Sequence, residues 1–123
     1  MEKRIKTIVA FMETDLRLQV TLHDVAPLVN LSSSRLRHVF KDATGMSLKQ
    51  YQKRLRMQKA RELLEESFLS IKEIMMETGI QDRNHFARTF RKMYGSTPSE
   101  HRRLLAAQSQ VEQAKAIASS YAE

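Results

Sequence analysis

Residues 31–45, LSSSRLRHVFKDATG, and residues 81–95, QDRNHFARTFRKMYG, are two versions of one pattern. Shifting the chain by 50 positions lays Leu36 on Phe86, His38 on Arg88, Phe40 on Phe90, Lys41 on Arg91 and Gly45 on Gly95, and carries on to Ser47 on Thr97. In the segments just before, an offset of 49 fits better, with Thr21 on Ser70, Leu22 on Ile71, Val25 on Ile74 and Asn30 on Gly79. The second copy therefore holds one more residue in its turn. Two copies are too few for a solenoid, which needs three or more stacked units; they suit paired modules.

Each copy reads as a short helix, a tight turn and a second helix. In the first, Thr21 is a cap, Leu22, Val25, Ala26 and Val29 face inward, and Asn30 takes the turn because asparagine tolerates left-handed backbone. Ser32 caps the next helix, whose inward residues are Leu36, Val39, Phe40 and Ala43 and whose end is Gly45. In the second copy Ser70 and Glu73 form a capping box, Ile71, Ile74, Met75 and Thr78 face inward, and Gly79 ends the helix. Phe86, Thr89, Phe90 and Met93 are the inward residues of its partner, which stops at Gly95. Working outward, Ile5, Ile8, Val9 and Met12 mark a first helix ending near Leu16. Ser47 and Gln50 box the start of a helix running to Glu66, with Leu48, Tyr51, Leu55, Ala60, Leu63 and Leu64 as core contacts. Thr97, Pro98 and Glu100 supply cap, N1 proline and N3 glutamate for a seventh helix.

Nowhere do β-branched and polar residues alternate over a strand length, so the fold expected is all-α, with about seven helices. It divides into two helix-turn-helix subdomains built as homeodomain-like three-helix units, residues 1–50 and 67–105, joined by a long linker helix over 47–66. A tail, helical or disordered, covers 106–123. In that tail Leu104, Ala107, Val111, Ala114, Ala118 and Tyr121 recur at steps of three and four. The side chains are mostly small and the run is short of the three or four heptads that define a coiled coil, so a frayed end is expected.

Composition narrows the function. With 123 residues, 41% hydrophobic and 28% charged, the chain suits one soluble globular unit. Zero cysteines exclude disulfides, thiolate metal sites and cysteine nucleophiles. The four histidines, at 23, 38, 85 and 101, have no spacing that gathers three ligands, and no glycine-rich phosphate loop occurs. No catalytic site, metal or cofactor is expected, and the seven methionines read as core filler. No apolar run reaches the length of a membrane span, and Ile8 to Met12 is too short for a secretory leader, which points to the cytoplasm. The 21 basic residues outnumber the 14 acidic ones for a formal net charge of +7, which favours a polyanionic partner.

The position of the charge identifies that partner. On a helical wheel the face opposite Leu36 and Phe40 carries Ser34, Arg37, His38 and Lys41, with no acid. The face opposite Phe86 and Phe90 carries Asn84, Ala87, Arg88 and Arg91, with Arg83 near the helix start. Arginine can grip guanine O6 and N7, asparagine can pair with adenine, and alanine can meet a thymine methyl. One charged helix face is ordinarily just solvated; two matched faces at one spacing favour groove reading. A linker helix of about 20 residues spans about 30 Å, close to the roughly 34 Å between successive major grooves on one side of duplex DNA. The expected complex is a monomer on an asymmetric site rather than an obligate dimer. Lys41, Lys49, Lys53, Arg54, Arg56, Arg91, Arg102 and Arg103 are the phosphate candidates, Arg54 first among them. A rival reading is a protein-interaction module that uses the basic faces or the tail without specific DNA binding.

These residues, together with LKQYQKRLRMQKARELLEES and SIKEIMMETGIQDRNHFARTFRKMYGSTPSEHRR, resemble the DNA-binding domain of AraC/XylS-type bacterial transcription regulators over about Ile5 to Arg103. The resemblance implies recognition helices at about 32–43 and 82–93 that enter adjacent major grooves. It also implies sequence-specific promoter binding, base contacts from Ser34, Arg37, His38, Arg83, Asn84, Ala87 and Arg88, activation through RNA polymerase, and a place on the nucleoid. The chain resembles the stand-alone members, or a C-terminal fragment; as a stand-alone member its activity would follow its abundance or a partner. Three residues depart from the family pattern. Pro27 should kink or shorten its helix, Met75 in place of a small residue should loosen or rearrange packing, and Gln81 in place of a capping serine leaves Asp82 as the cap.

Overall fold

The computed structural model describes residues 1–122; position 123 of the expected tail lies outside them. Among the described residues all regular structure is helical: α1 (Lys3–Thr14), α2 (Leu22–Val25) with a 3-10 turn (Ala26–Val29), α3 (Ser33–Thr44), α4 (Leu48–Glu66), α5 (Ile71–Thr78), α6 (Arg83–Tyr94) and α7 (Pro98–Ala122).

Local chemistry sets these boundaries. Thr21, Ser47 and Ser70 each form a complete capping box, closed by Asp24, Gln50 and Glu73 three residues on, so the first helical N–H groups find acceptors within their own turn. Ser32 and Asp82 cap α3 and α6 through their side chains alone. Pro27 has no N–H to continue α2, and the helix tightens to a 3-10 turn from Ala26 onward. Both helix-turn-helix turns then close alike. Asn30 (φ 55°) and Gly79 (φ 76°) are left-handed, and the next residue's N–H reaches back five positions, from Leu31 to Ala26 and from Ile80 to Met75.

The apolar side chains form two clusters strung on α4. Ile5, Ile8, Met12, Val25, Leu36, Phe40 and Leu48 build the first, flanked by Tyr51 and Leu55; Met57, Ala60, Leu64, Ile74, Met75, Phe86 and Phe90 build the second. Phe40 meets Tyr51 edge-on at 5.5 Å, and Phe86 meets Phe90 edge-on at 5.9 Å. Met75 is accommodated inside the second cluster.

The inward stripes are narrower than periodicity predicts. Ala43 is exposed and Met93 is 40% exposed, whereas the next residues, Thr44 and Tyr94, are half-buried and Tyr94 packs against the second cluster, so at the last turn the covered arc is turned away from Ala43 and Met93. Conversely, Gln52 is buried to 1% exposure among the core residues of α4. It survives there because its amide is satisfied, accepting from the Val20 N–H at 3.4 Å and donating to the Leu18 carbonyl at 2.7 Å. The expected fraying beyond residue 105 is also corrected. α7 runs unbroken to Ala122, since no glycine or proline follows Pro98 and the alanine- and glutamine-rich sequence favours helix. From Ala106 to Tyr121 every side chain is exposed.

Buried Phe86 and exposed Met93, on the same helix, give a direct comparison. Phe86→Ala should cost about 3–5 kcal/mol of unfolding free energy, whereas Met93→Ala should cost less than about 1 kcal/mol, both measured by urea denaturation.

Candidate nucleic-acid interface

α3 and α6 are the second helices of their modules, and each is fixed on one side only. Leu36 and Phe40 anchor α3, and Phe86 and Phe90 anchor α6, all at 0% exposure, leaving the opposite faces to solvent. Ser34, Arg37, His38 and Lys41 on α3 are exposed, as are Arg83, Asn84, Arg88 and Arg91 on α6; Ala87 is half-buried between them. Lys49, Lys53 and Arg54 are exposed on α4. Arg37, Lys41 and Lys49 come together around a depression of about 490 Å³ whose floor includes Val20, Leu22 and Leu48. Lys53 comes instead to a smaller depression at the seam between modules, shared with Arg17, Gln19, Gln81, Asp82 and His85.

Two arginines are employed otherwise. Arg102, expected at a phosphate, is half-buried and points its guanidinium at the open end of α4, donating to the carbonyls of Leu63, Leu64, Ser67 and Leu69. It caps the end of the linker helix and the turn that follows, adding donors to the Leu64, Ser67 and Leu69 carbonyls and sharing that of Leu63 with Ser67, so its guanidinium is engaged within the protein rather than offered to a phosphate. Arg56 likewise donates to the Leu16 carbonyl at 2.8 Å and the Leu18 carbonyl at 3.1 Å, and burial pulls its pKa below the ordinary arginine value. His101 accompanies Arg102 inside the second module. Its Nε2 lies 3.0 Å from Glu65 Oε1, which also accepts from Arg61 at 3.0 Å, and these contacts hold the Glu65 carboxyl below its usual range, that of His101 foremost. Among the described residues no group of three or more His, Asp or Glu side chains could hold a metal ion.

Sequence reasoning missed Arg17 and His85 as members of the basic seam. Arg17 lies in an irregular loop, its guanidinium on Asp15 at 2.9 Å, and only the folded chain brings it beside the turn before α6. No local spacing announces that approach. Lys72 and Arg83 join Arg17 around a further depression of about 680 Å³ lined by Met75, Met76 and Ile80.

The start of α6 depends on Asp82. Its Oδ1 accepts from the His85 N–H at 3.1 Å, and that bond, more than the nearby Arg88 and His85 charges, holds the carboxyl below its usual pKa. A depressed carboxylate stabilises the fold fully above its unfolded value, here about 3.8, and loses that contribution as pH falls through the lower folded value.

The family model for a helix-turn-helix domain matches residues 25–104. The Msm operon regulatory protein of Streptococcus mutans is 37% identical over 82 residues, 67% of this chain and 30% of that protein. The HTH-type transcriptional activator RhaS of Escherichia coli O1:K1 / APEC is 33% identical over 99 residues, 80% of this chain and 36% of its own length. The chain thus spans about a third of the curated relatives it matches. A transcriptional regulator with an AraC-type DNA-binding domain from Chromobacterium violaceum has a similar structure, with TM-score 0.76 and 30% identity, covering 84% of this chain and 92% of that one. The DNA-binding domain of AdpA, solved in complex with a target DNA, shares the fold at TM-score 0.77 and 24% identity, covering 87% of this chain and 96% of that one.

Asp82→Ala should lower the melting temperature at pH 7 by about 4 °C, and Asp82→Asn by clearly less, since asparagine retains the accepting oxygen. The gap between wild type and Asp82→Ala should narrow as pH drops below 3.8, read by circular dichroism melts.

Proposed function

The chain belongs to the AraC-type helix-turn-helix family, and from that premise we propose that it is a bacterial transcription regulator that binds specific duplex DNA by placing α3 and α6 in adjacent major grooves. The observation that carries this reading is the pair of one-sidedly anchored helices whose free faces hold Arg37, His38 and Lys41 on one and Asn84, Arg88 and Arg91 on the other, with no acid among them.

The roles divide by chemistry. Arg37 and Arg88 read bases, because a guanidinium offers two parallel donors to guanine O6 and N7. Asn84 suits adenine, Ala87 leaves room for a thymine methyl, and Ser34, His38 and Arg83 complete the base-facing set. Lys41, Lys49, Lys53, Arg54 and Arg91 neutralise phosphates and set register without reading sequence. The 19 residues of α4 correspond to about 29 Å at 1.5 Å per residue, comparable with the roughly 34 Å between major grooves on one face. One chain therefore supplies both half-contacts, and a monomer binds an asymmetric site. Activation through RNA polymerase, on nucleoid DNA in the cytoplasm, completes the proposal; that RhaS, among the relatives, is a transcriptional activator supports the activating direction alone.

Selection from a random duplex pool tests the reading first, with recovery of an asymmetric site of two parts about 10 base pairs apart as the expected result. On that site Arg88→Ala should cost about 1–3 kcal/mol and relax preference at one base pair. Arg54→Ala should weaken cognate and random duplex alike and reduce the slope of log affinity against log salt by about 0.9. Fluorescence anisotropy titrations at several salt concentrations read both, and equal losses on both duplexes for Arg88→Ala would refute its assignment.

A further inference from the structure

The two modules touch through backbone as well as through α4. A Cβ built on Gly79 would lie 2.8 Å from the Arg17 Cα and 2.8 Å from the Leu16 carbonyl oxygen, closer than side-chain carbons come to other atoms. Gly79 belongs to the turn of the second module; Leu16 and Arg17 belong to the Asp15–Val20 loop of the first, whose end, Val20, is buried in the first cluster. That loop is not free to yield. Gln52 holds it at Leu18 and Val20, and Arg56 holds it at Leu16 and Leu18, so hydrogen bonds from α4 fix its path where it meets Gly79.

We infer that this clamped loop, butted against Gly79, sets the separation and rotational phase of α3 and α6, making Gly79, Gln52 and Arg56 determinants of the half-site spacing that the protein accepts. The inference rests on the two-helix DNA-binding reading above. A helix shared by two small cores holds each module but leaves them able to twist and rock about its axis. The loop supplies the second point of contact that a rigid relation requires. It also explains why this turn needs glycine twice over. At φ 76° the backbone is left-handed, and on top of that there is no room for a side chain. Gly95 has the first requirement without the second, since at φ 87° nothing lies within 4 Å of its would-be Cβ.

Gly95→Ala is therefore the matched control for Gly79→Ala. The measurement compares affinity for the selected site with affinity for the same site carrying one base pair inserted or removed between its halves. Wild type should lose about tenfold or more on the altered spacings, as for a poorly fitted base pair. Gly79→Ala should shrink that loss to about threefold or move the preferred spacing by one base pair, while base preferences inside each half stay as they were. Arg56→Met, which keeps the aliphatic stem and removes the donors to the loop, should act in the same direction, and Gly95→Ala should leave the spacing penalty intact.

An unchanged penalty in both Gly79→Ala and Arg56→Met overturns the inference, as does an equal loss of penalty in Gly95→Ala, which would trace the effect to left-handed backbone alone. Should circular dichroism find Gly79→Ala unfolded, Arg56→Met decides by itself under the same criterion. If wild type binds no sequence preferentially, the DNA-binding reading fails; if it binds specifically yet tolerates every spacing, only the inference about the seam fails.

Discussion

One uninterrupted helix belongs to two hydrophobic cores. Leu48 lies in the first cluster with Tyr51 and Leu55 packed against it, and Met57, Ala60 and Leu64 lie in the second, with no break in α4 between them. Neither three-helix unit is large enough to bury much surface alone, and small units of this kind are marginal without added support. Sharing α4 gives each a wall it would otherwise lack. It also strings both modules on one axis, and the close approach of Gly79 to the Leu16–Arg17 backbone is the second contact that limits their turning about it.

Polar side chains complete what apolar packing begins. Gln52, Arg56 and Arg102 each reach 32 to 40 positions along the chain to backbone carbonyls or amides, and each acts where the backbone leaves helix and its polar groups lack regular partners. A guanidinium spreads several donors in one plane, so Arg102 can serve the end of α4 and the following turn together. Basic residues in this molecule therefore have two kinds of work. Some close the fold, and others remain available on the free faces of α3 and α6 for a polyanion.

Much of the architecture was legible because its signals are local. Capping boxes three residues wide, asparagine and glycine at left-handed positions, and a proline that shortens α2 need no knowledge of the distant chain, and the fifty-residue self-similarity exposed the doubled motif. What escaped depended on distance. Ala43 and Met93 fit the inward period, but at the last turn the neighbouring elements cover the arc of Thr44 and Tyr94 instead. Arg102 and Arg56 looked like phosphate ligands because charge is visible in sequence and a carbonyl acceptor 38 or 40 residues away is not. The outward residues of α3 and α6 could be chosen from the helical period, yet the basic seam of Arg17, Lys53 and His85 arises only when the modules meet. The unbroken course of α7 was readable in principle from the lack of any helix breaker after Pro98, but periodicity, which carried the argument elsewhere, is weak there.

The Arg102 cap also imposes an order on synthesis. A ribosome delivers the amino end first, and by the time Leu55 has emerged every side chain of the first cluster exists and can be enclosed. The carboxyl end of α4, by contrast, has Ser67 to meet its Leu63 carbonyl, but the carbonyls of Leu64, Ser67 and Leu69 gain a protein donor only when a guanidinium made more than thirty residues later arrives. A nascent chain paused between those two points carries a finished amino-terminal module on a linker whose far half is still unsupported, with Met57, Ala60 and Leu64 exposed to water. The helix that unites the finished protein is, for that interval, the part most open to a chaperone or a protease.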